Sequence, residues 1–177
     1  MVSEQLLLPA RVLWVLTTPF LANAFATLPK GRGPPMDFGR IWRRDGRRVL
    51  GSSKTWSGFL FGTFAAVPFG LLQAYLILLA PPSLAIVPTF GPSVLAATPL
   101  VLLLSGGALT GDAIGSFVKR RLGRPSGART FLLDQLPFVL LPVGVGFVAF
   151  PSVFVPVFGN LEALVWLLVF TLGMHAL

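Results

Sequence analysis

The chain has 177 residues, of which 54% are hydrophobic and only 11% charged, and its mean hydropathy is +0.81. A water-soluble domain carries about a quarter charged residues, so this composition excludes one and predicts an all-α integral membrane protein. The absence of cysteine excludes disulfides, thiolate metal centres and thiol catalysis. The net charge of +8 is not a nucleic-acid face, because thirteen of the fourteen cations fall in two stretches. Lys30 to Lys54 holds eight and Lys119 to Arg129 holds five, the pattern of loops retained on the cytoplasmic side of a membrane.

A bilayer core takes roughly 20 apolar residues as a helix, and five such spans are predicted. The first covers residues 6–28, with Arg11 near its outer end, where the side chain can reach the interface. Ala22-Asn23-Ala24 looks like a signal-peptide cleavage site, but Glu4 and no cation precede the apolar run, and cleavage would leave the first basic loop outside. The first polar loop, 29–56, opens with a Pro/Gly-rich segment that is predicted non-helical. The second span covers 57–80. Pro81-Pro82 makes an outer turn, and the third span, 84–109, is interrupted by Pro88, Pro92 and Pro99, so part of it is expected to be kinked or re-entrant. The second polar loop, 110–130, leads to spans at 131–150 and 153–172. One transmembrane domain, 1–177, results; with both loops inside, the N-terminus lies outside and the C-terminus inside.

The polar residues limit the chemistry. If residues from 111 onward start as a helix, Asp112, Ser116, Lys119 and Arg120 follow i, i+4, i+7, i+8 spacing and share one face. Asp112 and Asp134 lie at neighbouring span ends, where an acid is costly unless paired or functional. Either they share Mg²⁺, which accepts one or two carboxylates with phosphates and water, or each pairs with an arginine such as Arg121 or Arg129. Gly51-Ser52-Ser53-Lys54-Thr55 departs from the phosphate-loop motif, which needs G-x-x-x-x-G-K-[ST]. It can still bind an anion at a helix start, or simply cap the second span through Ser52, Ser53 or Ser57. Asp37 and Asp45 offset the basic loop. Asn23 can read a base edge or bond to a neighbouring helix. Glu162 is expected inside the fifth span, His175 stands alone at the C-terminal tip, and Trp56 fits an interfacial anchor. With no Ser-His-Asp set and no histidine cluster, phosphoryl or nucleotidyl transfer is the chemistry left, because it rests on positioning and charge neutralisation.

The longer pattern is more specific. Pro-Met-Asp37-Phe-Gly, Asp45-Gly-Arg-Arg, Leu-Gly51-x-x-Lys54-Thr-Trp56-x-Gly58, Gly111-Asp112-x-x-x-Ser116-Phe-x-Lys119-Arg120-Arg121 and Asp134-Gln135 together resemble the CDP-archaeol synthases. These are the archaeal branch of the CDP-diacylglycerol synthase-like lipid cytidylyltransferases. The resemblance implies that the phosphate of 2,3-bis-O-geranylgeranylglycerol 1-phosphate attacks the α-phosphorus of CTP, releasing pyrophosphate. It further implies that Asp112 and Asp134 hold Mg²⁺ and that Lys54, Lys119, Arg120 and Arg129 neutralise the triphosphate. Asn23, Asp37, Ser116 and Gln135 would contribute to nucleotide or metal binding, at a site facing the cytoplasm. Two copies associating is a further expectation. The bacterial and eukaryotic pattern continues with H-G-G-x-x-D-R; here Leu132-Leu133-Asp134-Gln135 stands in that region without the histidine or arginine, which favours the ether-lipid branch.

Three other readings compete. A CDP-alcohol phosphatidyltransferase needs D-G-x-x-A-R, which Asp45-Gly46 begins and nothing continues. A transporter usually shows paired inverted halves, into which five spans do not divide. A non-catalytic binder of anionic lipids would need the cations but neither Asp112 nor Asp134.

Overall fold

A computed structural model describes residues 4–81, 86–126 and 130–173. They form six helices: α1 (Glu4–Phe25), α2 (Trp56–Leu79), α3 (Val94–Arg121), α4 (Phe131–Ala149), α5 (Pro151–Phe158) and α6 (Leu161–Gly173). Outside the helices there are only isolated bridges, Pro35 with Thr55 and Ile41 with Arg48, among the described residues. Four helices are long and apolar enough to cross a membrane. The pair α5–α6 makes a fifth candidate, bent by 89° at its break.

The helix α3 is the axis of the bundle, packed against α1, α2 and α4. Its Leu100, Val101, Leu104 and Ala108 are fully buried, as are Val12 and Leu16 of α1 and Val139 of α4. In lipid, such contacts stabilise through close packing rather than through escape from water. A buried polar link adds to them: the Thr18 hydroxyl donates to Gln73 Oε1 at 2.9 Å, and Gln73 Nε2 donates to the Trp14 carbonyl at 2.9 Å. Interhelical bonds of this kind contribute about 0.6 kcal/mol each in a membrane.

Three boundaries differ from expectation. The third helix begins at Val94 rather than 84, because Pro88 and Pro92 disfavour helix before them and Ser93 caps the start by accepting from Ala96 N at 3.2 Å. It then runs twelve residues past 109, to Arg121, since no proline interrupts Thr110–Arg121 and Lys119, Arg120 and Arg121 favour the negative end of the helix dipole. At 28 residues it rises about 42 Å, against a hydrocarbon core of about 30 Å, so its last turns emerge from the apolar layer. The expected fifth span, 153–172, is two helices, because the chain breaks at Gly159-Asn160 and Asn160 Oδ1 caps α6 by accepting from Ala163 N at 2.8 Å. Glu162 stands exposed in the first turn of α6, directly after this break.

Candidate active site

The loop between α1 and α2 is a folded hairpin. Met36 N donates to Lys54 O, Trp56 N to Pro34 O and Val49 N to Arg40 O, at 2.8 to 3.0 Å. Asp37 organises it. Its carboxylate accepts from Gly39 N, Leu50 N and Gly51 N at 3.0 to 3.2 Å and from Arg48 Nη2 at 2.6 Å. Burial alone would raise its pKa, but Arg48 and the three backbone N–H groups outweigh that and hold the carboxyl well below the ordinary carboxylate range. With its oxygens committed in this way, Asp37 shapes the hairpin and does not line the cleft described below.

The hairpin hands over to α2 at Thr55, whose hydroxyl caps the helix by accepting from Gly58 N at 3.2 Å. The capping residue is therefore Thr55 rather than Ser52, Ser53 or Ser57; the Ser57 hydroxyl donates instead to the Arg32 carbonyl. This leaves Ser53 and Lys54 lining a cleft of about 330 Å³, shared with Asn23 from α1, Asp112 from α3 and Asp134 from α4.

Two glycines bring the last two elements together. A Cβ on Gly111 would lie 2.0 Å from the Pro137 carbonyl oxygen, and one on Gly115 2.6 Å from the Leu133 oxygen. Only hydrogen at these positions lets the α4 backbone lie against α3, which places the start of α4 beside the polar face of α3. Along α3 Asp112 is partly buried and Ser116, Lys119 and Arg120 are buried; of the four, Asp112 lines the cleft and Lys119 meets it through Asp134. Both acids of the cleft are paired with lysine, and among the described residues Arg121 joins neither: Lys54 Nζ bonds Asp112 and Lys119 Nζ bonds Asp134. The second oxygen of Asp134 accepts from Thr130 N at 2.6 Å. All four charged side chains are between 10% and 23% exposed, and at such partial burial an unpaired charge is costly.

Arg120 points elsewhere. It lines a neighbouring cavity of about 280 Å³ with Arg47, Arg48 and Arg124, and no carboxylate contributes to that lining among the described residues. Its Nε has no partner among the described residues. Arg121 ties the hairpin to α3, with Nη1 3.2 Å from Asp45 Oδ1 and Nη2 donating to the Arg48 carbonyl at 2.7 Å. Ser116 and Gln135 are buried but are not part of the cleft wall; neither amide atom of Gln135 has a partner among the described residues. Arg129 and His175 lie outside the described residues. The sequence motifs do not include Thr27, which also lines the cleft, nor Gly107 and Gly115 of α3. Gly107, Gly111 and Gly115 stand at i, i+4, i+8, and that spacing was the available signal.

No group of three or more His, Cys, Asp or Glu side chains comes together among the described residues, so a cage made wholly of protein ligands is not built here. Two acids on one cleft do suit Mg²⁺, which takes one or two carboxylates and leaves its other positions to phosphate and water.

Fold and cleft together define a multi-pass membrane protein with a polar, doubly charged site cut into the end of an apolar bundle. A solved structure described as an intramembrane enzyme for archaeal membrane lipid biosynthesis matches this chain with a TM-score of 0.68 at 32% identity, covering 93% of this chain and 92% of that one. The family profile described as CarS-like CDP-archaeol synthase matches residues 4–177. Among curated relatives, the CDP-archaeol synthase of Thermococcus gammatolerans is 45% identical over 128 residues, 72% of this chain and 68% of that protein. The CDP-archaeol synthase of Picrophilus torridus is 36% identical over 156 residues, 88% of this chain and 82% of that protein. The chain belongs to the CDP-archaeol synthase family. Nothing in these likenesses supports a transporter or a passive lipid binder.

Proposed function

We propose that this chain carries out CTP-dependent cytidylyl transfer to an archaeal ether-lipid phosphate, with the cleft between the hairpin, α3 and α4 as its active site. The observation that carries the assignment of the site is the convergence of Asn23, Lys54, Asp112 and Asp134 on one cleft at the polar end of α3. The lipid keeps its two geranylgeranyl chains in the apolar layer and presents its phosphate at this end of the bundle, while CTP enters from the water. A phosphate oxygen attacks the α-phosphorus of CTP, the bond to the bridging oxygen breaks, and pyrophosphate leaves with that electron pair. A phosphate monoester is largely ionised at neutral pH, so no side-chain base is required.

Asp112 and Asp134 would hold Mg²⁺, which when bound supplies neutralising charge to the phosphates. Each acid is clasped by a lysine beforehand, so ligand entry is an exchange of partners. The carboxylates of Asp112 and Asp134 would be the metal's protein ligands, and Lys54 and Lys119 would then be free to meet the phosphate oxygens. Such an exchange would leave neither a bare acid nor a bare ammonium in a poorly solvated site. Asn23, on the cleft wall, would meet the cytosine edge. Arg120, with Arg47 and Arg124, offers positive charge beside the cleft for the departing pyrophosphate. Asp37 acts by holding Gly51 and Lys54 in place. The positive-inside pattern puts this end of the molecule in the cytoplasm.

The test is purified protein in lipid with labelled CTP, Mg²⁺ and the prenylated glycerol phosphate. Labelled lipid and stoichiometric pyrophosphate are expected, with loss of both on chelation of Mg²⁺. Binding of lipid without turnover would overturn the assignment.

A further inference from the structure

The hairpin carries an apolar surface that the cleft does not use. Phe38 and Ile41 are 66% and 62% exposed, and Trp42 is 38% exposed. They border a shallow trough of about 680 Å³, and the exposed Arg40, Arg43 and Arg44 line the same trough. None of these three guanidinium groups is bonded to a described residue. Phe38 holds φ +48°, in the left-handed region that bulky residues avoid. The chain thus keeps a phenyl ring, standing in the open, at a turn position suited to glycine or asparagine.

The height of this surface in the membrane follows from its attachments. The Trp42 ring meets Phe117 edge-on at 5.5 Å, and the Arg121 guanidinium lies over both rings at 5.4 and 5.0 Å. The hairpin is therefore clamped to the last two turns of α3, the part that outruns the hydrocarbon layer. Its other end runs straight into Trp56, the exposed first residue of α2, and tryptophan at the end of a span belongs to the headgroup zone. Aromatic and aliphatic side chains interleaved with unpaired arginines at headgroup height match an anionic lipid surface, where the rings enter the acyl boundary and the cations meet phosphate.

We infer that the hairpin is an interfacial anchor, with Phe38, Ile41 and Trp42 seated in the bilayer that holds the bundle and Arg40, Arg43 and Arg44 on the phosphates of anionic lipids. It fixes Gly51 to Lys54 at the depth of the lipid headgroups. It rests on the membrane fold alone and would stand if the nucleotide chemistry were different.

The chain has no cysteine, so Ile41→Cys provides a single attachment point for a nitroxide. In phosphatidylcholine vesicles the label is expected to collide more readily with oxygen than with an aqueous nickel chelate, and the bias should grow when phosphatidylglycerol is added. Leu72→Cys, on the exposed face of α2, supplies the lipid-facing reference. Replacing Arg40, Arg43 and Arg44 together by Gln should remove the dependence on phosphatidylglycerol. A label at position 41 that meets the nickel chelate freely in both vesicle types would overturn the anchor. So would dipolar broadening between labels that persists at high lipid-to-protein ratio, because a second copy would then occupy the trough.

Discussion

At Asp112 and Asp134 the deciding term is partial burial. Neither carboxylate is wet enough to stand without a cation, so each takes the lysine within reach. Removing one member should cost more than removing both. Lys119→Met is therefore expected to lower thermal stability in detergent more than Lys119→Met combined with Asp134→Asn does, a comparison that a double-mutant cycle reads directly. For turnover, Asp112→Asn should reduce labelled-lipid formation by about a hundredfold or more while the protein still inserts; full activity would remove Asp112 from the mechanism. Asp37 predicts a pH effect of definite sign. Its folded-state pKa lies below the ordinary 3.8, so the stabilisation it provides is complete above that value and is lost as pH falls below it. Hydrogen exchange of the hairpin amides, corrected for intrinsic rate, should show protection falling below about pH 4, and Asp37→Asn should flatten that dependence. The reach of Asp112 and Lys119 to one site was legible from spacing along α3, but the turn of Arg120 into the neighbouring cavity was not. Nor were the lysine partners, because Lys54 lies 58 residues from Asp112, and only the folded hairpin brings them together.

At the scale of elements, the seam between α3 and α4 decides whether the site exists. Gly111→Ala puts a methyl group where the Pro137 oxygen already sits. It should destabilise the fold by about 1–3 kcal/mol and lower turnover by separating Asp134 from Lys119. Gly144→Ala is the matched control, since a Cβ there meets nothing within 4 Å and alanine favours helix. Equal stability of the two variants would show that close approach at the seam is not what holds α4. Helix existence was easy to read, since four long apolar runs admit little else. Helix ends were harder. Hydropathy averaged over a window is blind to Ser93 as a cap, and to the difference between a helix that stops at the membrane surface and one that continues into water. The break at Gly159-Asn160 escaped for the same reason: composition on both sides is that of a single span, and direction leaves no trace in it.

For the whole molecule, the arrangement requires the hairpin and the end of α3 to share one side of the membrane. Arg44→Cys and Arg124→Cys, each made in the cysteine-free chain, should react alike with a membrane-impermeant thiol reagent, both protected in intact cells and both labelled once the inner face is opened. Labelling of one from each side would break the site apart. The positive-inside pattern forecast this pairing of loops, whereas the depth of the cleft depended on how closely four helices could pack. The clasped acids also govern the enzyme at rest. With each carboxylate already holding a lysine, the idle cleft should take up magnesium feebly until a nucleotide arrives to occupy the lysines. Calorimetry without nucleotide would then find weak uptake of the ion by the native protein and, against first intuition, tighter uptake once Lys119→Met has taken a positive charge away from Asp134.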